Sequence, residues 1–106
     1  MKEIIYNKLV RDNIPEIIEQ SGKQVEIETL SDAKYLEMID KKLDEELAEY
    51  HKDQNIEELA DILEVLYAAA KVRGYSIKDL EKVRIEKAKI RGGFDKKILL
   101  KKVIEE

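Results

Sequence analysis

The chain has 106 residues, of which 42% are charged, and a net charge of −4, so it lacks the positive excess needed to bind a nucleic-acid polymer. It has no cysteine and therefore cannot form a disulfide framework or use a thiol nucleophile. No stretch approaches the roughly 20 apolar residues of a membrane span and no apolar leader is recognisable, so we expect a cytoplasmic protein without a membrane partner. The length predicts one domain over 1–106 with a thin core, which oligomerisation would enlarge.

The first predicted element is a short helix followed by an extended segment. Asn13 can cap this helix, and Pro15 lies in its first turn, where a missing N–H costs nothing. Residues 21–22, Ser-Gly, end it. The following residues, 25–30, alternate apolar and polar side chains, which predicts either a short strand or an extended linker.

Two long helices are predicted next, separated by the short break 53–55. The second helix starts at Ser31 or Asp32 and extends to about Lys52. Its apolar side chains recur every three or four residues at Leu36, Ile39, Leu43, Leu47 and Tyr50. The third helix, capped by Asn55, runs from 56 to about 73 and ends at glycine 74.

A fourth helix and an ambiguous tail complete the chain. Ser76 and Asp79 resemble a capping box that opens a helix to about Arg91, and Gly92-Gly93 ends it. Residues 98–100 fit either a strand pairing with 25–30 or a last helical turn. The sequence therefore predicts an all-α, four-helix bundle-like fold around an antiparallel helical hairpin, with at most one minor strand pair.

Acidic residues concentrate on the two helices of this hairpin. Glu46 and Glu49 are three residues apart on one helix face, and Glu58 and Asp61 repeat that spacing on the next helix. Residues equally far from the turn lie level with each other in an antiparallel pair, so Glu49 faces Glu58 and Glu46 faces Asp61. Four carboxylates in two matching layers repel each other unless a cation joins them or they bind protons. Hard oxygen ligands on a rigid frame are typical of a Mg²⁺ site.

Asp61 is the most informative of the four acids. It is nearly in phase with Val65, Ala68 and Val72, so we expect it to point toward an apolar seam, where an unpaired carboxylate needs a cation or a metal. Purely structural interpretations exist as well. Glu58 stands where a capping-box acid after Asn55 belongs, and the acids from Glu45 to Glu49 fit a solvated helix face.

Two pairs of basic residues are candidates for contact with phosphates. Lys8 and Arg11 are three apart near the N-terminus, and Lys87 and Arg91 are four apart on the fourth helix. Positive groups beside metal-binding carboxylates are typical of a site for a metal–triphosphate complex. Surface ion pairs along a helix are the alternative for Lys87. We assign no role to His51, the one histidine.

The order of these motifs resembles the all-α nucleotide pyrophosphohydrolase superfamily, whose members include MazG-like enzymes, all-α dUTPases and phosphoribosyl-ATP pyrophosphohydrolase. The acidic run EExxE at 45–49, ExxD at 58–61 and the ending RGGF at 91–94 carry the resemblance. The opening YNKLVRDNIP at 6–15 is similar to the MazG-related branch regarded as house-cleaning pyrophosphatases for non-standard nucleotides. The resemblance covers nearly the whole chain. The eight residues between the two acidic motifs are fewer than in many superfamily members.

The resemblance implies hydrolysis of a nucleoside triphosphate to a nucleoside monophosphate and pyrophosphate, with Mg²⁺ as cofactor and Mn²⁺ as a substitute. Glu46, Glu49, Glu58 and Asp61 match the metal-ligand positions, and Glu45 matches the acid that orients or deprotonates the attacking water. A MazG-like fold assembled as a homodimer or homotetramer is implied as well. Two other functions remain open, namely phosphoribosyl-ATP pyrophosphohydrolase and a non-catalytic helical interaction module.

Overall fold

The computed structural model describes residues 2–105 and confirms the all-α, bundle-like class. Four helices follow one another: α1 (Ile14–Gln20), α2 (Asp32–Asp53), α3 (Ile56–Val72) and α4 (Ile77–Arg91). No strand occurs among residues 2–105, so the strand interpretations of 25–30 and 98–100 are wrong. Segment 25–30 is the extended linker that the same pattern also allowed. The tail after α4 has no regular structure, so the last helical turn does not form either.

Side-chain caps explain where the three long helices begin. Ser31 accepts a hydrogen bond from the backbone N–H of Lys34 ahead of α2, and Asn55 accepts one from the N–H of Glu58 ahead of α3. Ser76 and Asp79 form both bonds of a capping box at α4. Asn13 stands at the N-cap position of α1 but makes no side-chain cap bond, because its backbone is already helical there.

The packed centre of the fold is the α2/α3 hairpin, with α4 against α3. Gln54 adopts a left-handed backbone with φ 51° and donates its N–H to the carbonyl of Tyr50, which ends α2 and reverses the chain within two residues. Ile39 of α2 and Val65 of α3 are the buried residues of the described chain, with 4% and 8% of their surfaces exposed. The predicted antiparallel hairpin core is confirmed, but it is thin.

The single chain is extended and leaves much apolar surface uncovered. It measures 70 × 31 × 24 Å with a radius of gyration of 18.8 Å, against about 13 Å for a compact domain of this length. Its accessible surface is 10199 Å², where a folded monomer of this mass exposes about 6,100 Å². Within the described residues α1 packs against no other helix. None of the described helices has the length and apolarity to cross a membrane.

Candidate metal centre

Carboxylates from both helices of the hairpin meet at one place, as the level-pairing argument predicts. One oxygen of each of Glu46, Glu58 and Asp61 lies within 4.8 Å of the others, and all three side chains are half-buried. The two-residue connection between α2 and α3 sets this register, because it fixes which turns of the helices lie side by side. Three of the four predicted ligands are therefore in one cluster.

Glu49, the fourth predicted ligand, belongs to an overlapping group. One oxygen each of Glu49, Asp53 and Glu58 also lies within 4.8 Å of the others. Asp53 was not predicted, although it follows Glu49 by four residues and therefore shares its helix face. We call the five acids Glu46, Glu49, Asp53, Glu58 and Asp61 the acidic cluster. Glu58 is common to both groups and joins them.

Glu58 lies at the centre of the acidic cluster, and this position affects the pKa of its carboxyl group. Its pKa is raised, first because partial burial disfavours the charged form and then because the charges of Glu49, Asp61, Asp53 and Glu46 repel it. The predicted capping-box role of its side chain is not seen: the N–H of Glu58 donates to Oδ1 of Asn55, but within residues 2–105 its carboxylate does not accept the reciprocal bond from the N–H of Asn55. The cap involves the backbone and leaves the carboxylate directed to the cluster. The carboxylate of Glu58 is therefore not engaged in a cap and is available to the cluster.

Asp61 lies at the edge of the cluster and pairs with the N-terminal segment. Its Oδ1 accepts a hydrogen bond from Nη2 of Arg11 at 2.7 Å, and 40% of its side chain is exposed. The expectation that Asp61 points into an apolar seam is therefore wrong, although Val65, one turn further along α3, is buried. The cation paired with Asp61 is Arg11, in a partly exposed ion pair.

Two lysines hold the α2 side of the site. Nζ of Lys8 lies 3.1 Å from Oε1 of Glu45, and Nζ of Lys42 lies 3.3 Å from Oε1 of Glu45 and 3.3 Å from Oε1 of Glu46. Lys42 was not predicted. Its spacing of three and four residues from the two glutamates is the signal that could have found it.

These contacts set the charges of the Lys8–Glu45 pair. Burial raises the pKa of Glu45, but the hydrogen bonds and charges of Lys8 and Lys42 outweigh burial and leave the pKa lowered. The hydrogen bond that Lys8 donates to Glu45, together with the charge of Glu45, raises the pKa of Lys8. Both groups are therefore charged at neutral pH.

The two predicted basic residues of α4 are not paired with the acids in the described part of the chain. α4 contacts α3, and neither Lys87 nor Arg91 forms an ion pair with any of residues 2–105. Arg91 instead lines a cavity of about 440 Å³ formed with the Gly92-Gly93 turn and the residues that follow. Of the predicted phosphate contacts, the chain brings Lys8 and Arg11 to the acids and leaves Lys87 and Arg91 elsewhere.

The donor set fits a hard divalent cation. The acidic cluster offers five carboxylates, and the cations in contact with its members are Arg11 and Lys42. The negative charge that Arg11 and Lys42 do not neutralise is concentrated on one side of the hairpin. The oxygen atoms that carry it belong to two rigid helices. Mg²⁺ takes such ligands and retains free positions for water and phosphate oxygens. No cysteine or histidine takes part, which disfavours zinc.

Comparison with known proteins gives one partial relationship. A protein of Mycolicibacterium smegmatis (strain ATCC 700084 / mc(2)155), described as uncharacterized, is 57% identical over 42 residues, which are 40% of this chain and 43% of that protein. The chain thus matches less than half the length of this relative. No family model matches the chain, and no solved structure matches it. The shared 42 residues carry no information on activity.

Proposed function

We propose that the protein is a Mg²⁺-dependent nucleoside triphosphate pyrophosphohydrolase, acting on non-standard nucleotides and releasing a nucleoside monophosphate and pyrophosphate. The observation that carries the proposal is the meeting of Glu46, Glu58 and Asp61 across the α2/α3 hairpin, with Glu49 in contact through Glu58. A carboxylate cluster beside basic side chains supports a metal and a polyphosphate together. Mn²⁺ is the expected substitute, since it takes the same oxygen ligands.

The reaction is an in-line displacement at the α-phosphorus. When bound, Mg²⁺ neutralises charge on the phosphates and makes a water molecule more acidic. The water oxygen forms a bond to the α-phosphorus, the bond from that phosphorus to the bridging oxygen breaks, and pyrophosphate leaves with that oxygen. Glu45, next to the ligand Glu46, orients the water or accepts its proton. Because Lys8 and Lys42 lower its pKa, orientation is the better-supported role.

Lys8 and Arg11 then have two sets of partners. Without substrate they bond to Glu45 and Asp61. A cation among the carboxylates would take over part of that charge, and both side chains would become available to phosphate oxygens. Arg11 suits this role because its guanidinium presents paired donors to a phosphate group. Lys87 and Arg91 remain proposed substrate contacts, to be supplied by α4 in the assembled protein.

The decisive experiment is a pyrophosphate-release screen over a panel of standard and non-standard nucleoside triphosphates, with and without Mg²⁺. We expect release that depends on the metal. Asp61→Asn and Glu49→Gln should each lower it more than about 100-fold, because even residues that merely support metal ligands cost 10–100-fold when replaced. Glu64→Gln, an exposed acid of α3 outside the acidic cluster, is the matched control and should keep full activity.

These variants should remain folded. The Arg11–Asp61 pair is 57% and 40% exposed, and a pair of that exposure contributes about 0–1 kcal/mol to stability. Circular dichroism would verify that the helices are intact. Full activity of Asp61→Asn and Glu49→Gln would show that the assignment of the site is wrong.

Within the same chemistry, phosphoribosyl-ATP is the second candidate substrate. The acidic cluster serves both reactions equally, because each breaks the same kind of phosphoanhydride bond. Adding phosphoribosyl-ATP and ITP to the panel beside the deoxynucleoside triphosphates separates them by relative kcat/KM.

A non-catalytic helical interaction module is favoured by one observation. Arg11, Lys8 and Lys42 already neutralise Asp61, Glu45 and Glu46 without any metal. On that interpretation Mg²⁺ leaves the thermal melt unchanged. For the metal site we expect a rise in Tm, since a ligand at 100 times its Kd stabilises the native state by about 2.7 kcal/mol.

We further propose that the functional unit is a homodimer or homotetramer. The accessible surface exceeds that of a compact monomer by roughly 4,000 Å², judged from the mass scaling of folded proteins. Leu59, Leu63 and Leu66 of α3 recur on one helix face and are 45%, 44% and 39% exposed. A second copy of the chain is the occupant that this apolar face fits, because packing two such hairpins together completes the core that one hairpin lacks.

A further inference from the structure

A site that combines lysines with the apolar side chains of Leu9 and Met38 lies beside the acidic cluster. A cavity of about 200 Å³ lies between the N-terminal segment and α2, and its polar lining comprises Asn7, Lys8, Lys41, Lys42 and Glu45. The ammonium groups of Lys8 and Lys42 meet at Oε1 of Glu45, and Lys41 also lines the cavity, in a chain whose net charge is −4. We call it the lysine cavity. Its charge is opposite to that of the cluster next to it.

The ammonium groups of the lysine cavity retain unused hydrogen-bond donors. Lys8 contacts Glu45, and Lys42 lies between Glu45 and Glu46, so each has used only part of its three N–H bonds. Lys41 is exposed and forms no ion pair with residues 2–105. An anion that enters the cavity therefore meets donors without first displacing every internal contact.

The size of the lysine cavity restricts what it can bind. Pockets for drug-sized ligands hold about 300–1,000 Å³, so this one is too small for a complete nucleotide. One or two phosphate groups are of suitable size and charge. Compact ammonium groups bind phosphate as point charges without fixed geometry, which suits a flexible polyphosphate.

We propose that the lysine cavity is a polyphosphate subsite that binds the β- and γ-phosphates of the substrate and, after the reaction, the pyrophosphate, with Lys41 and Lys42 as contacts besides Lys8. The assignment of the substrate rests on the proposed function. The position follows from shared residues: Glu45 forms part of the cavity wall, and Nζ of Lys42 is 3.3 Å from the metal-ligand candidate Glu46. Phosphates in the cavity would therefore adjoin the metal and leave the α-phosphorus toward the water near Glu45.

The test is a titration of the full-length protein with inorganic pyrophosphate in EDTA, followed by NMR of the backbone amides. We expect saturable shifts at Asn7, Met38 and Lys41, which border the cavity. Lys41→Gln should weaken the Kd about tenfold, the usual loss for one charge-assisted hydrogen bond. Lys82→Gln removes an equal charge from the exposed surface of α4 and is the matched control.

Glu45→Gln tests the sign of the effect. Removing the one carboxylate of the cavity should tighten pyrophosphate binding several-fold, because the repulsion disappears while Lys8 and Lys42 are released. If Glu45 had only a structural role, its replacement would not increase the affinity for pyrophosphate. Unchanged affinity in Lys41→Gln, or an equal loss in Lys82→Gln, would overturn the subsite.

The outcome is separable from that of the proposed function. Pyrophosphate binding in EDTA needs neither metal nor hydrolysis. It should therefore be observed even if the nucleotide screen shows no pyrophosphate release. The converse result is metal-dependent pyrophosphate release by the wild type while Lys41→Gln keeps the wild-type affinity for pyrophosphate and the wild-type KM. That result would support the proposed enzyme activity and refute the subsite.

Discussion

At the scale of single residues, Glu58 makes the strongest connection between structure and chemistry. Loss of hydration and then repulsion by four other acids place the pKa of its carboxyl group above the ordinary value of 4.5. For an acid with a raised pKa, the folded state binds more protons than the unfolded state, and stability falls as the pH rises through the interval between the two values. The cost is absent below 4.5 and complete above the raised pKa.

Replacement of Glu58 by Gln should therefore stabilise the metal-free protein at pH 7, and the gain should vanish below about pH 4, where both states are protonated. The same variant should lose the rise in Tm that Mg²⁺ gives the wild type. Thermal melts of both proteins from about pH 3 to about pH 8, with EDTA and with Mg²⁺, provide the measurement. A variant that is less stable than the wild type at pH 7 would contradict the repulsion.

Sequence reasoning anticipated that the acids of the two helices meet and that Lys8 and Arg11 lie beside them, but it did not assign the individual ion pairs. Spacing and a short hairpin connection place Glu46 with Asp61 and Glu49 with Glu58, because both follow from helix geometry alone. The partner of Asp61 is Arg11, 50 residues away, and no local rule selects it. Lys42 was missed although it is only four residues from Glu46, because an acid-rich helix offers many such pairs.

At the scale of elements, the helix boundaries agree with the sequence to within about one residue where a cap determines them. Ser31, Asn55 and Ser76 each bond to a backbone N–H three residues on, a local interaction that sequence reveals directly. The extended segments were harder to predict. Residues 25–30 alternate as a strand does, but α1 and the tail provide no paired edge, so the ladder is not formed.

The cap at Asn55 also holds the register of the hairpin. Asn55→Ala should lower the free energy of unfolding by about 1 kcal/mol, the usual cost of losing a cap, and Asn55→Ser should recover most of it. Urea denaturation followed by circular dichroism would measure both. If Asn55→Ala matched the wild type, the side-chain bond to the N–H of Glu58 would contribute nothing.

At the scale of the whole molecule, the uncovered face of α3 is where we propose that a second copy packs, and the thin core was foreseeable from chain length. We expect the wild type to sediment as a dimer or tetramer at micromolar concentration. Leu63→Lys places a charge at the centre of that face and should dissociate the assembly. Ile90→Lys, at an 84% exposed position of α4, is the control and should leave the mass unchanged. A monomeric wild type in analytical ultracentrifugation would contradict the proposal.

The two-residue connection between α2 and α3 has a consequence for the order of folding. Most contacts of the packed region join neighbours along one hairpin, and chains with such local contacts fold within microseconds to milliseconds. The hairpin can thus form early, before the extended segments pack against any other part of the protein. In hydrogen-exchange experiments the amides around Ile39 and Val65 would then be the slowest to exchange, and those of the tail after Gly93 the fastest.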